Sequence, residues 1–171
     1  MCAARTRPAR PATMPLASLH EFEALDHTHA EVVRYLRQLD ALMARIDYAG
    51  ADADGRELAR NVCNFFNDSA RRHHADEERV VFPQLLSSGD ADLVADVLRL
   101  QQDHGWLEED WLELEPMLDA LADGVGSIDP DVLRHVVGVF GSLYLEHIAL
   151  EESRVYPEAK RRAVALAADR G

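Results

Sequence analysis

Four stretches of the chain repeat apolar residues at alternating intervals of three and four. This spacing places the apolar side chains along one face of an α-helix, and that face has to be buried against other helices. Breaker-rich segments at 49–55, 87–90 and 123–129 separate the stretches, and no part of the chain alternates like a half-buried strand. Four helices joined by short connections predict an all-α fold, an antiparallel up-down-up-down four-helix bundle.

Local signals predict where these helices begin. Asp54 is expected to cap helix 2, Asp90 helix 3 and Asp129 helix 4, because a short Asp side chain accepts hydrogen bonds from the first free backbone N–H groups. A kink is expected at Pro116, whose ring removes one backbone hydrogen bond from helix 3. The predicted helices cover about 18–48, 54–86, 90–123 and 129–162.

Each of the four apolar stripes carries one histidine near its middle. An unpaired polar group inside an apolar core costs roughly 1–3 kcal/mol. One such histidine is a common packing feature, but one on every helix calls for a shared partner. Mid-helix positions of antiparallel neighbours lie at similar heights, so we expect the four side chains to converge. They are His29, His73, His104 and His147.

Two of these histidines belong to a repeated motif, His-x-x-x-Glu-Glu-x-x-x-aromatic-Pro. It pairs His73 with Glu77 on helix 2 and His147 with Glu151 on helix 4. A spacing of four puts the imidazole and the carboxylate on one helix face, one turn apart. The carboxylate can then reach the same metal ion as the imidazole, and its second oxygen can reach a neighbouring ion. The repeat favours His73 over His74, which we expect at the surface.

The donor types restrict the metal. Imidazole and carboxylate together suit iron, zinc, manganese or copper, and four histidines with two carboxylates are too many for one tetrahedral zinc. Two six-coordinate ions offer about twelve positions, of which these donors and a bridging oxygen fill about ten. About two positions remain for a small ligand such as dioxygen, peroxide or nitric oxide. The sequence therefore predicts a dinuclear centre.

The same residues carry a resemblance to a known family. Asp26 and His29 resemble the Asp-x-x-His signature on the first helix of bacterial hemerythrins. The two His-x-x-x-Glu-Glu motifs, together with the Asp103-His104 pair of helix 3, resemble the HHE cation-binding domain over about residues 18–160. This resemblance implies a non-haem centre of two iron ions joined by an oxo or hydroxo group, with Glu77 and Glu151 as bridging carboxylates.

The chain departs from hemerythrins proper on helix 3, where they carry His-x-x-x-His and five histidines in all. Here Leu100 lies four residues before His104, and Glu108 lies four residues after it. Either the fifth histidine is absent and its position is vacant, or Glu108 replaces it. The candidate metal ligands are His29, His73, Glu77, His104, Glu108, His147 and Glu151.

Charge and cysteine content exclude other classes. The chain has 31 acidic and 18 basic side chains and a net charge of −13, which argues against nucleic acid or an anionic membrane as a partner. Residues 1–15 are basic and are expected to form a disordered leader without the apolar segment of a secretory signal, ahead of one domain at 16–171. Cys2 and Cys63 do not form a disulfide framework, so a cytoplasmic location is expected.

The leading functional hypothesis is a di-iron protein that binds or reacts with dioxygen, peroxide or nitric oxide, for sensing, storage or stress protection. This makes it a metal- and oxygen-binding protein rather than a dedicated enzyme. The alternatives are a di-iron oxidase or peroxide-consuming enzyme, and a metal-sensing regulatory module. Ferritin-like oxidases use Glu-x-x-His motifs with mostly carboxylate ligands, so a histidine-rich set disfavours the oxidase.

Overall fold

The computed structural model describes residues 19–49, 52–125 and 128–168, and within them it is helical without strands. We number four helices: α1 spans Leu19–Ala49, α2 residues 53–86, α3 Ala91–Asp123 and α4 residues 130–168. Each helix packs against the next, and α4 packs against α1. The predicted four-helix bundle is confirmed, whereas the predicted basic leader lies outside the described residues. No helix in the described part of the chain is long and apolar enough to cross a membrane.

The helix ends follow the capping signals with one exception. Asp90 and Asp129 accept backbone hydrogen bonds at the starts of α3 and α4, as predicted. The predicted cap of α2 at Asp54 is wrong, because Asp52 has the extended backbone of a cap and accepts a 2.9 Å hydrogen bond from the Gly55 N–H. Asp54 lies in the first turn of α2 and pairs with Arg45 at 2.6 Å.

Helices α2 and α4 contain wider turns of π-helix, at Phe66–Ala70 and Glu77–Val81 in α2 and at Glu151–Val155 in α4. In such a turn the hydrogen bonds reach back five residues, as from the Phe82 N–H to the Glu77 carbonyl and from the Tyr156 N–H to the Glu151 carbonyl. Each wide turn adds one residue to the helix circumference. The residues that follow are therefore rotated relative to a continuous α-helix.

The apolar core is divided into two layers along the bundle. On α1, for example, Leu25 belongs to one layer and Val32 to the other, with His29 between them. On α3, Leu100 and Leu107 flank His104 in the same way. The bundle thus holds a thin polar layer between two apolar ones.

Candidate metal centre

The polar layer brings together six of the seven residues that the sequence proposed as ligands. Five of them are buried, and the His104 side chain is only 9% exposed. They come from all four helices, as the alternating spacing of three and four predicted, and they meet where the two apolar layers end. These six are His29, His73, Glu77, His104, His147 and Glu151.

The two carboxylates connect the histidines. Glu77 Oε2 lies 3.5 Å from His73 Nε2 and 3.4 Å from His104 Nε2. Glu151 Oε2 lies 3.1 Å from His29 Nε2, and Glu151 Oε1 lies 3.3 Å from His147 Nε2. Each carboxylate therefore faces one imidazole on its own helix and one on a neighbouring helix.

Two groups of donor atoms each have the dimensions of a metal site. One consists of His29, His73, Glu77 and Glu151, and the other of His74, Glu77, His104 and His147. Within each group the donor atoms lie within 4.8 Å of one another. Both groups use Glu77, and Glu151 reaches toward His147 of the second group. The arrangement is that of two adjacent candidate cation sites with Glu77 in common.

His74 corrects the prediction that only His73 of this pair points inward. Its ring stacks on His104 with 4.1 Å between centroids, and its Nε2 lies 3.2 Å from the Tyr144 hydroxyl. The cause is the wide turn Phe66–Ala70, which adds a residue before the histidines and turns His74 toward the core as well. His74 is thus a fifth histidine in the donor cluster.

Glu108 lies outside both donor groups. It forms two hydrogen bonds with the Arg71 guanidinium, at 2.6 and 3.0 Å, and 46% of its side chain is exposed. Helix α3 turns His104 inward, and the residue four positions later faces α2 at the surface instead of the donor cluster. The prediction that Glu108 replaces the fifth histidine therefore receives no support from this geometry.

Unpaired buried atoms indicate that the cluster fits metal ions. Within the described residues, Glu77 Oε2, both carboxylate oxygens of Glu151, His104 Nε2 and His147 Nε2 have no hydrogen-bond partner. Leaving buried polar atoms unpaired costs about 1–3 kcal/mol each, and more for charged groups. Two donors bound at right angles to one ion at about 2.1 Å lie about 3 Å apart, close to the nitrogen–oxygen distances of 3.1–3.5 Å seen here.

The pKa values reflect burial and the charge of the cluster. Burial lowers the pKa of His73 to about 4, because the imidazolium would lose its hydration. Burial acts on His147 too, but the carboxylates of Glu151 and Asp103 outweigh it and raise its pKa to about 10. Burial opposes ionisation of Glu151, yet His147 and His29 lower its pKa to about 2. A protonated His147 thus balances Glu151, and a metal ion that binds both displaces that proton.

Two carboxylates lie behind the histidines, at Glu78 and Glu152, which the sequence predicts to be either in solvent or hydrogen-bonded to a metal ligand. Glu152 Oε1 accepts a hydrogen bond from His29 Nδ1 at 3.2 Å, and Glu78 Oε1 accepts one from His104 Nδ1 at 3.1 Å. Such contacts fix the ring orientation of an imidazole that binds metal through its other nitrogen. The signal was present as the second Glu of each repeated motif, but the sequence alone does not give the partner helix.

The fold and the buried cluster define a class: a helical bundle with a candidate site for metal cations. Comparison with known proteins agrees, since residues 20–159 match the family model described as the hemerythrin HHE cation-binding domain. A protein of Haemophilus influenzae described only as uncharacterized is 31% identical over 130 residues, covering 76% of this chain and 73% of that protein. No solved structure matches. The chain belongs to the hemerythrin HHE cation-binding family, which confirms the resemblance.

Proposed function

We propose that this protein is a non-haem di-iron protein that binds or reacts with dioxygen, peroxide or nitric oxide. The observation that carries the proposal is the pair of buried donor groups that share Glu77, with Glu151 extending to both. Five imidazoles and two carboxylates suit iron better than an all-oxygen calcium site or a thiolate site. A bound iron pair supplies the electrons with which such small molecules are held or reduced.

The donor count leaves little room for anything but a small ligand. Two six-coordinate ions have about twelve coordination positions, and five imidazoles with two bridging carboxylates fill about nine of them. A bridging oxygen fills about two more, which leaves about one position. With His74 at the surface, as the sequence predicted, about two coordination positions would be open; with His74 as a fifth donor, about one is open.

A small cavity beside the cluster supports a ligand of this size. It has a volume of about 20 Å³, enough for about one water-sized molecule. The Arg71–Glu108 ion pair lies at its rim, and Tyr144 and His74 lie on its inner side. Apolar side chains make up the rest of the wall and limit the access of bulk water: Phe66, Ala70, Leu107, Trp111 and Phe140.

The protein residues around the donors hold the site in place. Glu78 and Glu152 fix two imidazoles through their Nδ1 atoms, and Asp103 Oδ2 lies 3.8 Å from His147 Nδ1. Asn67 accepts a 2.8 Å hydrogen bond from the Trp111 indole N–H, which fixes the wall next to the cavity. Orientation of the ligands and exclusion of water are therefore built into the bundle.

The test is a reaction of the iron-loaded protein with each small molecule. The protein is loaded with ferrous iron under argon and mixed in a stopped-flow instrument with dioxygen, hydrogen peroxide or nitric oxide. We expect a rapid absorption change with at least one of them, and its loss in Glu151→Gln, which removes a shared charge. Repeated consumption of peroxide or dioxygen would favour the di-iron enzyme. No change with any of the three would contradict the proposal and favour the metal-sensing module.

The cytoplasmic location remains a prediction, and so does the lack of nucleic acid and membrane partners. They rest on the net charge of −13 and on the sequence pattern. Fractionation of cells that express the full chain would test the location directly.

A further inference from the structure

The two repeated motifs build matching halves of the centre. In each motif a wide turn of five residues begins at the first Glu. The aromatic residue that follows the turn stacks on a histidine of a neighbouring helix. Phe82 stacks on His104 with 5.5 Å between centroids, and Tyr156 stacks on His29 with 5.1 Å. The second Glu of each motif accepts a hydrogen bond from the Nδ1 of that same histidine. His104 and His29 therefore have equivalent surroundings.

The hydroxyl of Tyr156 breaks this equivalence. The buried Tyr156 O–H donates a hydrogen bond to Glu77 Oε1, the carboxylate of the other motif. The same hydroxyl lies 3.4 Å from His29 Nε2. Phe82, which occupies the matching position, has no such group. One half of the centre thus contains a buried hydrogen-bond donor that the other half lacks.

The consequence is that the two shared carboxylates are presented differently. Oε1 of Glu77 is bound to Tyr156, and the unpaired Oε2 lies 3.5 Å from His73 Nε2 and 3.4 Å from His104 Nε2. Glu151 instead directs one oxygen to His29 and the other to His147, at 3.1 and 3.3 Å. Glu77 thus offers one oxygen without a hydrogen-bond partner to the two groups, whereas Glu151 offers two.

We propose that Tyr156 is a positioning residue that holds one oxygen of Glu77 away from the ions and thereby adds to the difference between a metal position with two imidazoles and one with three. A hydrogen bond to a buried carboxylate is strong, so it competes with metal for that oxygen. Without the phenol, Glu77 can give one oxygen to each ion, as Glu151 does. This inference rests on the proposed function, because it requires that the protein bind a pair of ions.

The experiment compares wild type with Tyr156→Phe, which keeps the stacked ring. Metal-free protein is titrated anaerobically with Fe(II), and the two stepwise dissociation constants are measured. Iron-57 Mössbauer spectra of the loaded proteins provide a readout that does not depend on activity. We expect two distinct doublets in wild type that move toward each other in Tyr156→Phe. We also expect the ratio of the two constants to fall about tenfold, the low end of the range for groups that hold metal ligands.

The controls separate this role from general packing. Tyr35→Phe removes a hydroxyl from a tyrosine that stacks on Phe65, away from the donors, and should leave both readouts as in wild type. If Tyr156→Phe does not fold, replacing Tyr156 with 3-fluorotyrosine keeps the shape and strengthens the donor, and the ratio should rise.

Three outcomes would overturn the inference. Unchanged spectra and constants in Tyr156→Phe would do so, as would an equal loss at both steps or an unchanged ratio with 3-fluorotyrosine. If the wild type itself binds a single ion, the proposed function fails as well. If the wild type binds a pair and Tyr156→Phe changes nothing, only the role of Tyr156 is lost.

Discussion

Glu77 and Glu151 are the residues on which the centre depends, because each is a buried carboxylate that faces imidazoles on two helices. A buried carboxylate deprived of a balancing charge destabilises a protein strongly. In the metal-free state, His29 and His147 provide that balance for Glu151, whose pKa is lowered to about 2. Tyr156 provides a hydrogen bond for Glu77. The two proposed bridging carboxylates therefore also need charge partners or hydrogen bonds in the fold when no metal is bound.

His74 and Glu108 give opposite predictions at this scale. His74→Gln should lower iron retention about tenfold or more, because it removes one of the inward donors. Glu108→Gln should retain iron like wild type, because Glu108 is bound to Arg71 at the surface. The measurement is iron content after dialysis against a chelator, with His135→Ala, at an exposed position of α4, as the control. Full retention in His74→Gln and loss in Glu108→Gln would reverse the assignment.

At the scale of elements, the wide turns of α2 and α4 decide which side chains reach the centre. The turns Glu77–Val81 and Glu151–Val155 begin at the first Glu of each motif. Because their hydrogen bonds reach back five residues, the aromatic residue five positions after each Glu returns toward the same face. This explains the spacing of the Glu-Glu-x-x-x-aromatic motif, which a continuous α-helix would not satisfy.

The turn Phe66–Ala70 can be tested by removing one residue from it. Deleting Asp68, which is exposed, should convert the turn to regular α-helix and rotate the donors that follow by about 100°. We expect the deletion variant to remain helical by circular dichroism and to lose its bound iron. Asp68→Ala removes only the exposed ion pair with Arg72 and should keep the iron. A deletion variant that binds iron as wild type does would show that the turn does not set the register.

For the whole molecule, the sequence predicted the bundle and much of its polar layer because both depend on periodicity. On α1 the 3,4 spacing predicts a buried stripe, and all of its positions are buried: Phe22, Leu25, His29, Val32, Leu36, Leu39 and Met43. The same counting fails on α2, where it predicts Val80 in the core, whereas Val81 is fully buried and His74 turns inward. Nothing in Phe66–Ala70 marks a wide turn, because its stability depends on packing against other helices.

The polar layer also makes the stability of the metal-free protein depend on pH. The pKa of His73 is about 4 in the folded protein and 6.5 in the unfolded chain. Between these two pH values the unfolded chain binds a proton at His73 that the folded protein does not bind. The free energy of unfolding should therefore fall from about pH 6.5 toward about pH 4. His147 acts in the opposite sense: its contribution is complete below pH 6.5 and is lost as the pH rises through about 10.

Thermal unfolding of chelator-treated protein at a series of pH values would measure both changes, the loss of stability toward acid pH (the acid limb) and the loss toward alkaline pH. We expect the highest melting temperature near pH 6.5, with a decline on either side. In His73→Gln the acid limb should become shallower, because the variant has no imidazole to titrate at this position. An acid limb of the same slope in wild type and His73→Gln would mean that other groups determine it.

The number of ions per chain tests the central claim most directly. Protein loaded with iron-57 under argon and then oxidised is analysed for metal content, near-ultraviolet absorption and low-temperature Mössbauer spectra. We predict about two irons per chain, an oxo-bridge absorption and a magnetically coupled, diamagnetic pair, because the donors form two groups that share Glu77. A single iron per chain, or one tightly held zinc without the absorption, would contradict the account.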